Sequence, residues 1–204
     1  MKERPILFNT DMVKAILDGT KTQTRRVIKL REFQTTKTPG YDFCFRDKKA
    51  RWQDYKVAKL ITKKCPYGAV GDELWVRETW VVPNSDGCTP RDITPTKNVL
   101  YKATDEYSWW RPSIHMPRWA SRIQLKVKEI RVERLQDITK EDAIAEGFAG
   151  VECQCDEGQP CTDCYNTGFI EPPEVDFIYA WDSIYKKRGW DVNPWVWVVK
   201  FEVM

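Results

Sequence analysis

Histidine is almost missing from this chain: one residue, His115, in 204. A single imidazole gives no Ser-His-Asp or Cys-His arrangement to infer, and His115 reads as structural rather than as a general base. No run of about 18 apolar residues occurs, which argues against a transmembrane helix. The start, Met1-Lys2-Glu3-Arg4-Pro5, lacks the apolar stretch of a signal peptide. These two absences predict a cytoplasmic protein whose cysteines stay reduced. Net charge is only +3, too little for a polycationic nucleic-acid coat. There is no internal repeat, and no organic cofactor is expected.

What is present suits a soluble α+β domain: 42% apolar residues for a core and 31% charged residues for a surface. Ten Trp, eight Tyr and eight Phe are a heavy aromatic load, able to fill a core or to stack on bases. Pro5 to Phe8 predicts a short strand. Met12, Val13, Ile16 and Leu17 predict a helix over 11–18, capped by Thr10 or Asp11 and ended by Gly19. Residues 31–68 read as a polar, basic, irregular excursion. Leu74 to Val82 predicts one bulky strand after a turn at Gly71-Asp72, and residues 83–98 a loop. Ile123, Leu125 and Val127 alternate, then change phase at Ile130 and Val132, predicting a strand with a bulge near Lys128-Glu129. Thr139 caps a short helix ending at Gly147, Val175 to Tyr185 predicts an amphipathic helix, and Trp195 to Val203 a closing strand. Strands broken by short helices and long loops suggest a small mixed or barrel-like sheet.

Three constellations could carry chemistry. Gly19-Thr20-Lys21-Thr22-Gln23-Thr24-Arg25-Arg26 places an amine, hydroxyls and guanidiniums close together. Lys and Thr three apart suit a base and a nucleophile, and the arginines suit a phosphate or a planar base. Cys153-Gln-Cys155 and Cys161-Thr-Asp-Cys164 give four thiolates in a reducing compartment, a pattern for a structural zinc with no open catalytic position. The alternatives are unligated thiols or a redox pair. Trp109 to Trp119 interleaves Trp, Arg and His115, which fits either a nucleobase surface or a Pro-rich loop whose rings plug the core. Glu146, before Gly147, reads by itself as a solvated helix carboxylate.

Gly19-x-Lys21-x-x-Thr24-x-Arg26, Gly71-Asp72-Glu73-Leu74-Trp75-Val76, and Ile138-Thr139 through Ala143 to Glu146-Gly147 occur in that order. Together they resemble the ASCH domain, a small β-barrel of the PUA-like superfold associated with RNA and modified nucleosides. The blocks around Arg77-Glu78-Thr79-Trp80, Ile114 to Arg122 and Gly189 to Phe201 resemble the larger ASCH proteins of phages and prophages. Many members of the family carry Glu where this chain has Thr24. The chain instead is similar at this position to the small bacterial ASCH enzymes that hydrolyse N4-acetylcytidine to cytidine and acetate, proteins about half its length.

The resemblance implies one ASCH domain over 1–204, with elaborations at about 31–68 and at 151–173, the second a zinc-binding insertion. It implies a catalytic set of Lys21, Thr24 and Glu146: Lys21 the base, Thr24 the nucleophile, Glu146 the residue that orients Lys21 or manages the proton of the leaving amine. Arg26 is expected to stabilise developing negative charge, and Arg118 and Trp119 to bind substrate. The expected function is an amidohydrolase acting on N4-acetylcytidine or a related modified nucleoside, in a bacterial cytoplasm. The alternative is a non-catalytic RNA- or DNA-binding protein. A nuclease is disfavoured because no metal-carboxylate set is evident.

Overall fold

The computed structural model describes residues 2–85, 87–154, 169–186 and 189–204. In chain order the elements are β1 (Glu3–Leu7), α1 (Thr10–Leu17), β2 (Gln23–Val27), β3 (Arg31–Thr35), β4 (Phe43–Arg46), β5 (Trp52–Tyr55), α2 (Val57–Lys64) and β6 (Glu73–Arg77). There follow β7 (Trp80–Val81), β8 (Leu100–Tyr101), β9 (Gln124–Arg134), α3 (Lys140–Ala145), β10 (Val151–Glu152), β11 (Phe169–Glu171), α4 (Pro173–Ile184) and β12 (Trp195–Val203). The fold is α+β, rich in sheet, and among the described residues the strands do not close into a barrel. No described helix is long and apolar enough to cross a membrane.

The chain divides into two compact units. The first comprises Met1–Gly19, Ile61–Ile130 and Val199–Met204; the second comprises Thr20–Leu60 and Arg131–Val198. In the first, β1 runs parallel to β6 (Glu3↔Glu73 to Leu7↔Arg77), and β6 pairs antiparallel with β9. The apolar residues of these strands, Ile6, Leu74, Val76, Leu125 and Val127, are buried beside Phe8 and Phe201, whose rings lie 6.1 Å apart. Helix α1 is capped by Asn9, one residue earlier than the sequence predicts: its side-chain oxygen accepts from the Met12 N–H at 2.8 Å. Val13 and Ile16, three apart, are the buried face.

The stretch from Leu74 to Val82 is two strands, not one, because Glu78 interrupts it. Its side chain is buried (1% exposed) and takes a two-pronged pair from Arg122, with Nε and Nη2 each at 3.0 Å. Burial pushes the Glu78 carboxyl up from its ordinary value, opposed by the Arg122 hydrogen bonds and charge. Beyond the break, Trp80, Met116 and Ala120 form a second small core with Trp119 packed against it.

The second unit corrects the expectation of an irregular stretch over 31–68. β3, β4 and β5 form a three-stranded antiparallel meander, followed by α2. Phe33, Phe43 and Trp195 make an aromatic cluster under it, with Phe43 at 5.2 Å and Phe33 at 6.0 Å from Trp195. The cations of these strands hide the apolar alternation that builds them. Elsewhere Val27, Leu135, Ala143, Phe177, Trp181, Val196 and Val198 form the core that carries α3 and α4. As the sequence predicts, α3 is capped by Thr139, whose hydroxyl accepts from the Asp142 N–H at 3.2 Å, and Gly147 follows its end at φ 94°. On β9, burial changes phase between Val127 and Ile130, where the sequence predicts a bulge.

Gly150 sits at φ +70°, and an added Cβ would lie 2.6 Å from the Glu171 carbonyl oxygen and 2.8 Å from Pro173. Gly19, at φ +76°, has nothing within 4 Å. Gly150→Ala is expected to destabilise by about 2–5 kcal/mol from strain plus overpacking, and Gly19→Ala by about 1–2 kcal/mol from backbone strain alone. Urea unfolding of the two variants checks the contrast.

Candidate functional site

Strand β2, Gln-Thr-Arg-Arg-Val, is almost wholly buried although four of its five residues are polar. Burying such groups is costly unless each is partnered. The partners come from α3 and β9. Arg25 donates through Nη2 to Asp142 Oδ2 at 2.6 Å and to Glu133 Oε2 at 3.3 Å. Gln23 Nε2 donates to Asp142 Oδ1 at 3.1 Å, and Arg131 joins Glu133 (2.6 Å) to Asp142 (3.3 Å). Burial alone would raise the Asp142 carboxyl, but the Arg25 hydrogen bond and charge, helped by Gln23 and Arg131, hold it below its ordinary value.

Lys21 and Glu146 meet directly within this unit. Their backbones form an isolated antiparallel bridge, and the Thr22 N–H donates to the Ala145 carbonyl at 2.8 Å. Lys21 Nζ donates to Glu146 Oε2 at 2.8 Å and to the Glu146 backbone carbonyl at 2.7 Å. Glu146 is the C-cap of α3, so its carbonyl lies at the negative end of the helix dipole, where a cation is favoured. The two side chains are 1% and 3% exposed. Burial pulls the Lys21 ammonium below its ordinary value; the Glu146 charge and hydrogen bond oppose this, and Arg26 and Arg25 add to it.

The second oxygen of Glu146, Oε1, lies 3.6 Å from Arg25 Nη1. Oε1, Arg25 Nη1 and Arg25 Nε are buried, and none has a hydrogen-bond partner among the described residues. The Glu146 carboxylate is thus shared between two cations, hydrogen-bonded to Lys21 and in ion-pair range of Arg25.

Thr24 is 1% exposed. Alternation along β2 sends Gln23, Arg25 and Val27 to one face and Thr24 and Arg26 to the other. Lys21 precedes the strand and feels the charges of both Arg25 and Arg26. No hydrogen bond joins the Thr24 hydroxyl to Lys21 or Glu146 among the described residues. Thr22 and Arg26, both half-buried, are the parts of this stretch nearest the surface.

Arg118 and Trp119 belong to the first unit, where both face protein groups. Arg118 donates to both Glu3 oxygens, at 2.8 and 2.9 Å, and its guanidinium lies 5.9 Å from the Trp75 ring. Trp119 stands edge-on to Trp80 at 5.9 Å. Arg111, 9% exposed, donates to the Ser85 and Cys88 carbonyls. The core-plugging reading accounts for these contacts of the Trp109–Trp119 stretch. His115 is exposed at the end of a 3-10 turn, Ser113–His115. Of the proposed zinc ligands Cys153 is half-buried, while Cys155, Cys161 and Cys164 lie outside the described residues. Among the described residues, no group of three or more His, Cys, Asp or Glu side chains is placed to hold a metal.

Sequence reasoning placed Gln23 and Arg25 in the Gly19–Arg26 run but missed their partners Glu133 and Asp142. Asp142 reads as a helix-start acid and Arg25 as a group for a phosphate or a planar base; the available signal was a strand whose alternate positions are Gln, Arg and Val, the last of them clearly core.

Lys21→Met leaves Glu146 a buried carboxylate without its ammonium, and Glu146→Leu leaves the reverse. Each is expected to cost about 3–5 kcal/mol, and the double variant to recover most of that loss. Denaturant unfolding at pH 7 measures the cycle. Because the folded state disfavours the ammonium, the unfolded chain holds that proton more tightly. Stability is therefore expected to rise as pH climbs from the lowered Lys21 value towards the ordinary 10.5. Lys21→Met should abolish that rise.

Compared with protein-family models, with curated proteins and with solved structures, the chain matches none.

Proposed function

We propose that the protein is an amidohydrolase acting on N4-acetylcytidine or a related N-acylated nucleobase. The observation that carries this reading is the buried Lys21–Glu146 pair at the C-terminus of α3, two residues that are 125 apart in sequence. The resemblance of the motif residues to the ASCH hydrolases names the same two. In keeping with that resemblance, we take the sheet as the core of a PUA-like, ASCH-type barrel, and Cys153, Cys155, Cys161 and Cys164 as ligands of a structural zinc.

In the proposed reaction, Lys21 acts as its neutral amine, the form that its burial favours. It takes the proton of the Thr24 hydroxyl as the Thr24 oxygen attacks the acyl carbonyl. The negative charge that builds on the carbonyl oxygen is met by a guanidinium, Arg26 by resemblance. Collapse of the tetrahedral intermediate breaks the carbon–nitrogen bond, and the nucleobase amine leaves with the proton that Lys21 held. Water then attacks the acyl-Thr24 ester, with Lys21 again as base. Acetate leaves and the hydroxyl is restored. Glu146 holds Lys21 in place and sets how readily it gives up its proton.

Purified protein incubated with N4-acetylcytidine is expected to release cytidine and acetate. Lys21→Ala should lower kcat at least about 100-fold, the scale of a general base, and Thr24→Ala should do likewise, with partial activity in Thr24→Ser. The Glu146 charge raises the Lys21 value, so Glu146→Gln should move the ascending limb of the pH–rate profile to lower pH. Absence of cytidine release by the wild type, or turnover indifferent to Lys21→Ala, would sink the reading.

The zinc assignment stands apart from the chemistry. Protein purified without chelator is expected to carry about one zinc per chain by metal analysis, and four freely titrating thiols at these cysteines would contradict it.

A further inference from the structure

Residues 29–60 hold nine Lys and Arg against four Asp and Glu, while the whole chain is only +3, so the rest of it is slightly acidic. The structure carries most of this excess on the β3–β4–β5 meander and its turns, and sets Arg31 and Arg46 on one face. Directly paired residues share a face of a sheet. Arg31 pairs with Arg46, and Arg46 with Trp52, so two arginines and a tryptophan form one row across three strands. The other side is occupied, since Phe33 and Phe43 pack there against Trp195.

A local irregularity creates the row. The pairing register shifts between Arg31 and Gln34, and Glu32 has φ 52°, a left-handed conformation unusual for Glu. The shift lets Arg31 share a face with Arg46 while Phe33 still joins the aromatic cluster. The Glu32 carboxylate then lies in ion-pair range of both, 2.8 Å from Arg46 Nε and 3.4 Å from Arg31 Nε. Arg46 lies 5.0 Å from the centre of the Trp52 ring. Trp52 is 44% exposed, a large indole left in water.

The β4–β5 hairpin extends the same chemistry. Asp47 is spent on the turn: Oδ1 accepts from the Lys49 and Arg51 N–H groups at 2.8 and 3.0 Å, and Oδ2 from the Arg51 guanidinium. Lys48 and Lys49 are exposed at the tip with no acidic partner among the described residues. An exposed ring flanked by guanidiniums and unpaired ammoniums is the combination that binds a single nucleic-acid strand. Bases stack on the ring, and phosphates meet the cations.

We infer that the outer face of the meander, the row Arg31–Arg46–Trp52 with Lys48 and Lys49, is a docking platform for single-stranded nucleic acid. It lies on elements separate from the Lys21–Glu146 pair and does not depend on that reading. If both hold, an acylated base within a polymer is a substrate as well as the free nucleoside.

The test is anisotropy titration of the full-length protein with a fluorescent single-stranded 12-nucleotide RNA from 50 to 300 mM salt. Duplex DNA and inorganic polyphosphate are the comparison ligands. Wild type should bind the single strand with a log–log salt slope of about −2 to −3, the value for three or four phosphates. Lys48→Glu with Lys49→Glu should reduce that slope by about 1 to 1.5 and weaken binding more than tenfold at low salt. Trp52→Ala should cost about tenfold with little change of slope, because it removes stacking and not charge. Circular dichroism confirms that these surface variants fold, and their turnover of free N4-acetylcytidine should equal wild type. The inference is overturned if wild type does not bind the strand at 50 mM salt, or if neither variant weakens binding. It is also overturned if duplex or polyphosphate binds as tightly and Trp52→Ala changes nothing. A wild type that binds RNA but deacylates no nucleoside removes the hydrolase reading and leaves the platform standing.

Discussion

The second unit is organised around one constraint: Arg25 is a permanent cation with a side chain 0% exposed. A guanidinium cannot shed its charge at any relevant pH, so the protein must bring anions to it. Asp142 meets it at 2.6 Å, Glu133 at 3.3 Å and Glu146 at 3.6 Å. Two of these acids lie on or beside one short helix, α3, and are four residues apart, so they share a face. Satisfying Arg25 therefore fixes the rotation of α3 about its axis. That rotation in turn delivers the Glu146 side chain and its backbone carbonyl to Lys21.

The first unit meets the same problem with the signs reversed. There the buried group is a carboxylate, Glu78, and a single arginine, two residues before β9, reaches both of its oxygens. The difference in count follows from geometry. One carboxylate is matched by one planar fork, whereas Arg25 has donors pointing three ways and draws on several acids. The arrangement in the second unit leaves a remainder, Arg25 Nη1 opposite Glu146 Oε1 without a hydrogen bond. The Glu78 pair leaves no such remainder on its carboxylate, both oxygens of which accept from Arg122.

Much of the scaffold was legible because its signals are local. Helix α1, the Thr139 cap, α4 and β12 follow from periodicity and capping chemistry within a dozen residues, and each lies within a residue or two of its predicted bounds. The meander was not legible, since Arg31, Arg46 and Arg51 interrupt an apolar alternation that only the Trp195 contact makes sense of. The break at Glu78 was hidden for a related reason: Trp75 through Val82 is bulky enough to read as a continuous strand, and the acid's partner is 44 residues away. The site was half legible. The Lys21–Glu146 pairing rested on motif resemblance, because spacing alone leaves Glu146 a solvated carboxylate. Arg25 reads as a group for a phosphate or a planar base, and its pairing with Asp142 was hidden because the two lie 117 residues apart. The Trp109–Trp119 stretch fits two readings in sequence, and in the structure its cations meet Glu3 and the backbone carbonyls of Ser85 and Cys88.

The physical tension in the site lies at Lys21. Its ammonium is welcomed by the α3 C-terminus and by Glu146, and resisted by burial and by two arginines of β2. Glu146 carries both sides of this balance, because it is held near Arg25 as well as near Lys21. A shift of its carboxylate towards Arg25 would weaken its hold on the Lys21 proton, and a shift back would restore it. Since Asp142 and Glu133 anchor the far side of Arg25, the guanidinium cannot follow the carboxylate in either direction. A residue whose proton affinity changes with a small movement against a fixed charge is suited to taking up and returning a proton. The mutual pairing of the lysine, the glutamate and the arginine is what makes three charges tolerable in a buried setting where apolar residues would pack as well.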